Sequence, residues 1–131
     1  MKKFLSFVLA AAMAVSAFTT AAFAQAETKS FKVAIVQQLD HASLDEIRTA
    51  AESKLLALAE EKGVEMEVKD FNGQNDTTVL NQIGAKVVSD GYDAIIPIAT
   101  LAALCMTTAT EETDIPVIYA AISDPETSGL T

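Results

Sequence analysis

The chain has 131 residues, 50% of them hydrophobic, with 9 basic and 18 acidic side chains and a formal net charge of −9. This length corresponds to about one small domain, or one lobe of a larger protein. The acidic balance argues against nucleic acid and anionic membrane surfaces as partners, because both present phosphate charge, and solubility alone accounts for it.

The N-terminus carries the marks of a secretory signal peptide over residues 1–24. Lys2 and Lys3 precede an apolar, small-residue run over residues 4–17, and Ala22-Phe23-Ala24 offers small residues at the two cleavage-pocket positions. The run is too short and too rich in alanine for a stop-transfer helix, although an uncleaved anchor is the alternative. No cysteine lies near the cleavage site, so no lipid anchor is expected. Cleavage before Gln25 would leave seven of the nine basic residues against all 18 acidic ones, a balance of −11. The expectation is a soluble, exported protein in the periplasm, with residues 25–131 as its folded part.

Strand and helix signals then alternate. Residues 31–37 contain the continuous apolar run Val33 to Val36, as expected of a strand covered on both faces. A polar loop, residues 37–42, leads to Ser43, which is spaced from Glu46 as a capping box. Leu44, Ile47, Ala51, Leu55 and Leu58 step by three and four and predict one buried helical stripe, ended by Gly63. Residues 64–71 read as a second strand whose Glu65, Glu67 and Lys69 mark an edge with one face near water. After a turn at residues 72–75, Asn75 or Asp76 caps a helix running to about Asp90, with Leu80, Ile83 and Val87 inward.

Residues 94–99 form a third strand, Thr100 to about Thr110 a small-residue helix, and residues 117–121 a fourth strand after an Asp114-Ile115-Pro116 turn. Pro97 is awkward in a central strand and predicts a local irregularity in the ladder. Ending as it does after residues 123–131, the chain is expected to be a fragment with Val117 to Ala120 as an apolar edge. The order predicts an α/β fold: a parallel, Rossmann-like sheet with helices on both faces and right-handed crossovers.

In such a sheet the ligand crevice lies beyond the carboxyl ends of the strands. Four loops converge there: residues 37–41, 72–76, 100–102 and 123–125. Helix N-termini present free N–H groups that suit a ligand carboxylate. Thr100 is placed either to cap its helix or to donate its hydroxyl to a ligand. Asp40 and Asp124 are placed either to bind a ligand ammonium or to make local Asx turns. His41 either contacts a ligand or fixes the turn before Ser43.

Cys105, the only cysteine, lies among Ala102, Ala103, Leu104 and Met106 and reads as a buried hydrophobe. Disulfide scaffolds, cysteine metal sites and multi-histidine zinc sites are excluded, since His41 is also the only histidine. No nucleotide-binding or nucleophile-elbow motif occurs, so neither catalysis nor a cofactor is expected.

The runs K-V-A-I-V-Q-Q-L-D-H-A-S-L-D, D-F-N-G-Q-N-D-T-T-V-L-N-Q-I, D-A-I-I-P-I-A-T and I-P-V-I-Y-A-A-I-S-D-P resemble ABC transporter substrate-binding proteins of the tryptophan/tyrosine-binding type. The resemblance covers residues from about 31 onward, in order and in spacing. It implies a two-lobed periplasmic binding protein of which this chain is part of the first lobe. It also implies an amino-acid ligand, an aromatic one, held in an interlobe cleft and passed to a permease and its ATPase. Carried over, the cleft loops fall on Gln38, Asp40, His41, Thr100, Ala102, Ser123 and Asp124. Leu101 stands where the family commonly has proline, and Ser123 where it often has threonine. A secreted sensing domain that presents ligand to a membrane receptor is the alternative, and a small flavodoxin-like protein a third.

Overall fold

The computed structural model describes residues 27–130; the expected signal peptide lies outside them. Three strands and three helices alternate: β1 (Ser30–Gln37), α1 (Ala42–Lys62), β2 (Glu65–Asn72), α2 (Thr77–Ser89), β3 (Ala94–Ile98) and α3 (Thr100–Thr110). All pairings are parallel and the order is β2-β1-β3. The chain thus reverses direction across the sheet between β1 and β3. In open parallel sheets ligands bind beyond the carboxyl ends of the strands at such a reversal.

β1 is central, and its residues alternate between two cores. Val33 and Ile35 join Ile96 and Ile98 beneath α1, where Leu44, Ile47, Ala51 and Leu55 cover them. Ala34 and Val36 join Ile95 on the other face, against Leu80 and Val87 of α2 and Ala102, Cys105 and Met106 of α3. Cys105 is therefore a core side chain, and burial pushes its thiol pKa up. β2 lies at the edge, with Glu65, Glu67 and Lys69 in solvent.

The fourth strand is reduced to two isolated parallel bridges, Ile95 with Val117 and Ile98 with Ala120. The ladder runs from Ile95 N–H to the Pro116 carbonyl (3.0 Å), Ile118 N–H to Ile95 (2.9 Å), Ala120 N–H to Pro97 (3.1 Å) and Ala99 N–H to Ala120 (3.0 Å). The rung between them would need a donor at Pro97, and proline has none. The vacancy faces the fourth segment, while on the other side Pro97 keeps register with Val36 of β1. The irregularity expected at Pro97 is thus confined to one flank. Ile118, on the outer segment, stays 55% exposed.

The helix ends correct two expectations. α1 is capped by His41, not by Ser43: the His41 carbonyl accepts from Leu44 and Asp45 N–H (both 2.9 Å), and its Nδ1 accepts from Ser43 N–H (3.3 Å). The cause is Gln37, fully buried, whose Nε2 donates to the Leu39 carbonyl and to Asp45 Oδ1 (both 2.7 Å) and draws the first turn back toward β1. Thr100 is not a cap either. The residue before α3 is Ala99, with φ 79° and ψ 161°, and Thr100 is already helical. Gly63 does end α1, in a left-handed conformation, and Asp76 caps α2 through Thr78 and Val79 N–H.

Candidate functional site

The carboxyl edge of the sheet is held together by side chains that cross between loops. Gln38 is the centre of this network. Its Oε1 accepts from Leu101 N–H of α3 (2.9 Å), and its Nε2 donates to Asn75 Oδ1 in the loop after β2 (2.9 Å). Its backbone N–H reaches the Ile98 carbonyl (3.1 Å), and its own carbonyl accepts from Asn75 N–H (2.8 Å). Asp40, two residues on, accepts from Asn72 Nδ2 (2.5 Å), and Asn72 Oδ1 accepts from Gln74 N–H (2.7 Å). The loops after β1, β2 and β3 therefore form one connected edge.

At the start of α3, Leu101 N–H goes to Gln38 and Ala103 N–H to the Ala99 carbonyl (3.1 Å). The N–H groups of Thr100 and Ala102 have no acceptor among the described residues. Two unpaired amides on a helix N-terminus present partial positive charge, on the order of half an elementary charge for the whole helix end. This geometry suits a carboxylate. Asp40, with one oxygen on Asn72, offers a negative group on the neighbouring loop.

The seven expected residues divide by what they touch. Gln38 and Asp40 lie on the connected edge, and Thr100 is half-buried at its rim. The Ala102 side chain is fully buried in the core, so only its amide belongs to the edge. His41 is exposed and engaged as the α1 cap. Ser123 and Asp124 have no hydrogen bond to the other three loops among the described residues. Asp124 instead accepts from Thr127 N–H (3.0 Å) and from the Thr127 hydroxyl, closing a turn that Leu130 N–H completes on the Pro125 carbonyl (2.9 Å).

The Thr127 hydroxyl, then its amide, holds the Asp124 carboxyl below the ordinary carboxylate range. Because the folded pKa is the lower one, this contribution is complete at neutral pH and disappears as pH falls through the folded value. The protection factor of the Thr127 amide, with the intrinsic slowing of exchange in acid divided out, should fall in acid well before that of core amides such as Ile35, as hydrogen-exchange NMR against pH would report.

The sequence places Gln37, Asn72 and Asn75 in the converging loops without singling out their side chains, and it gives no sign of Ala99. Gln74, Asn75, Ala99 and Ala121 are the non-glycine residues with positive φ among those described, and all four lie in loops at the carboxyl edge. Turns at the opposite edge use Gly63 and Gly91. Ala99 occupies a region normally reserved for glycine, at a cost of order 1–3 kcal/mol. Ala99→Gly should therefore raise unfolding free energy by about 1 kcal/mol, after the greater unfolded-state freedom of glycine is counted. Urea denaturation measures it. Two surface grooves lie elsewhere: about 370 Å³ between α2 and α3, beside Asn81, Ala85 and Thr108, and about 450 Å³ beside Lys29, Phe31, Leu55 and Lys62.

Comparison with known proteins bears on this edge. The family described as ABC transporter substrate binding protein matches residues 32–131. A tyrosine-binding protein of Clostridioides difficile strain R20291 is 32% identical over 140 residues, covering 98% of this chain and 40% of that protein. The chain therefore spans well under half the length of that curated relative. Among solved structures, an ABC domain from Streptococcus pneumoniae in complex with L-Trp superposes with a TM-score of 0.65 at 31% identity, over 76% of this chain and 32% of that one. A ligand-free, open substrate binding protein with adhesive properties from Clostridium difficile gives 0.65 at 32% identity, over 77% and 34%. A conserved domain protein from Vibrio cholerae gives 0.65 at 30%, over 79% and 34%.

Proposed function

Because the chain belongs to the family of ABC transporter substrate-binding proteins, we propose that its carboxyl edge is one wall of a cleft that captures an amino acid. The free amides of Thr100 and Ala102 hold the ligand carboxylate, with the Thr100 hydroxyl beside them, and Asp40 faces the ammonium. The observation that carries this reading is the pair of unpartnered amides at the start of α3, on the strand next to the one that leads to Asp40. An aromatic side chain on the ligand is favoured by the L-Trp of the pneumococcal relative and the tyrosine of the clostridial one.

The second wall comes from a second lobe, in keeping with solved relatives about three times as long as the part matched here. Capture outside the cytoplasmic membrane and delivery to a permease follow from that role, with the N-terminal segment as export signal. The chain carries out no reaction in this reading; it binds, encloses and releases. His41, Ser123 and Asp124 shape loops at the cleft mouth.

Calorimetry on the two-lobed protein with L-tryptophan, L-tyrosine and L-phenylalanine tests the assignment. Heat is expected with at least one of them, and none with tryptamine, which keeps the ring and the ammonium but lacks the carboxylate. Silence with every amino acid removes the ligand assignment.

A further inference from the structure

α1 and α2 are capped by the residues that precede them, His41 and Asp76, whereas α3 follows Ala99, whose side chain can accept nothing. Its cap comes instead from Gln38, 63 residues away in sequence, through the 2.9 Å bond to Leu101 N–H. The other end of the same carboxamide is held by Asn75, and the Gln38 backbone is fixed at both its N–H and its carbonyl. Both ends of the carboxamide are thus held by the protein, with one N–H and one oxygen lone pair to spare.

We propose that Gln38 and Asn75 are a positioning pair: they fix the first turn of α3, and with it the direction of the Thr100 and Ala102 amides. Leu101 lies between those two residues, so pinning its amide sets the orientation of both neighbours. Asn75 acts one step removed, since it holds Gln38 and not α3. It is itself held in a left-handed conformation (φ 55°), within a loop that Asn72 closes. The loop after β2 thereby acts on the α3 amides through Gln38. The inference rests on the proposed amino-acid site for its functional consequence, but the geometry it describes exists without ligand.

Chain length matters as much as polarity. Asparagine at position 38 is one methylene too short to span from β1 to α3. Glutamate keeps the acceptor for Leu101, and Asn75 can turn its amide to donate back. Glutamate also adds a negative charge at a helix N-terminus, which supports the helix but opposes a bound carboxylate.

Hydrogen-exchange NMR without ligand, followed by titration of the full-length protein with L-tryptophan, tests the pair. In Gln38→Ala and Gln38→Asn the Leu101 amide should exchange about tenfold faster, the factor that one net hydrogen bond corresponds to. Ile35 and Val36 amides and the urea midpoint should stay close to the parent values. Asn75→Ala should show the same change at Leu101 in smaller measure. Gln38→Glu should keep Leu101 protected. L-tryptophan affinity should fall about tenfold in Gln38→Ala, by the same reckoning, and further in Gln38→Glu despite the retained protection. Unchanged Leu101 exchange in Gln38→Ala overturns the proposal, and so does lost protection with unchanged L-tryptophan affinity. If the unsubstituted protein does not bind L-tryptophan, the ligand assignment fails, and the exchange result alone still decides whether Gln38 positions α3.

Discussion

Leu80→Ala should destabilise the lobe by about 3 kcal/mol, the middle of the range for removing a fully buried leucine and leaving a cavity. Leu80 has no exposed surface and belongs to the core shared by β1, α2 and α3. It also fills the space under the loop after β2. A methyl group on Gly73 would come within 2.3 Å of Leu80 Cδ2 and 3.1 Å of the Gln38 carbonyl oxygen. Shortening Leu80 removes the floor beneath Asn72 to Asn75, so the Gln38 network should loosen along with the core. Small domains have total stabilities of about 5–15 kcal/mol, so a loss of this size leaves the lobe marginal. Urea denaturation should show a lower midpoint with an unchanged slope. A cycle with Gly73→Ala adds a check: the extra methyl should be costly alone and better tolerated in the Leu80→Ala background, because the two share one volume.

Gly84→Val should cost about 2 kcal/mol, a typical penalty for forcing added volume into a packed contact. α2 and α3 meet at this point. A Cβ on Gly84 would lie 2.7 Å from Ala109 Cβ and 3.3 Å from Met106 Cε. Met106 can swing aside, but the Ala109 methyl is fixed to its helix, so relief requires α3 to move. Since α3 carries the Thr100 and Ala102 amides at its other end, the substitution should disturb amide chemical shifts at those positions as well as lower the denaturation midpoint. A midpoint equal to that of the parent would mean that the helices do not approach this closely.

How much of this was legible in the sequence follows from the range of each interaction. The alternation of strand and helix, the edge character of β2, the left-handed Gly63 and the burial of Cys105 are written in local pattern, and they appear as expected. Pro97 was legible as a disturbance because the missing donor is a property of the residue itself. Its side of the ladder was not, since that depends on which neighbour its N–H would face. Ser43 looked like the better cap by residue type, but Gln37 bonded to Asp45 starts α1 earlier, and burial of a glutamine cannot be read from its own position. Ala99 gave no signal because alanine announces no left-handed backbone. Gln38 was expected at the edge through the family resemblance, but its partners lie 37 and 63 residues away. The seven expected residues share an edge location because they follow strand ends, which periodicity reveals. Which of them face a ligand and which only shape loops depends on partners that periodicity does not encode.

The most direct measurement is an amide chemical-shift titration of the chain with L-tryptophan and L-tyrosine, at millimolar concentrations suited to a single lobe. The expected result is a saturable shift centred on Thr100 and Ala102, extending to Asp40, with the α2–α3 groove around Ala85 and Thr108 unmoved. Shifts confined to that groove, or none at the start of α3 with either amino acid, would contradict the carboxyl edge as the binding wall.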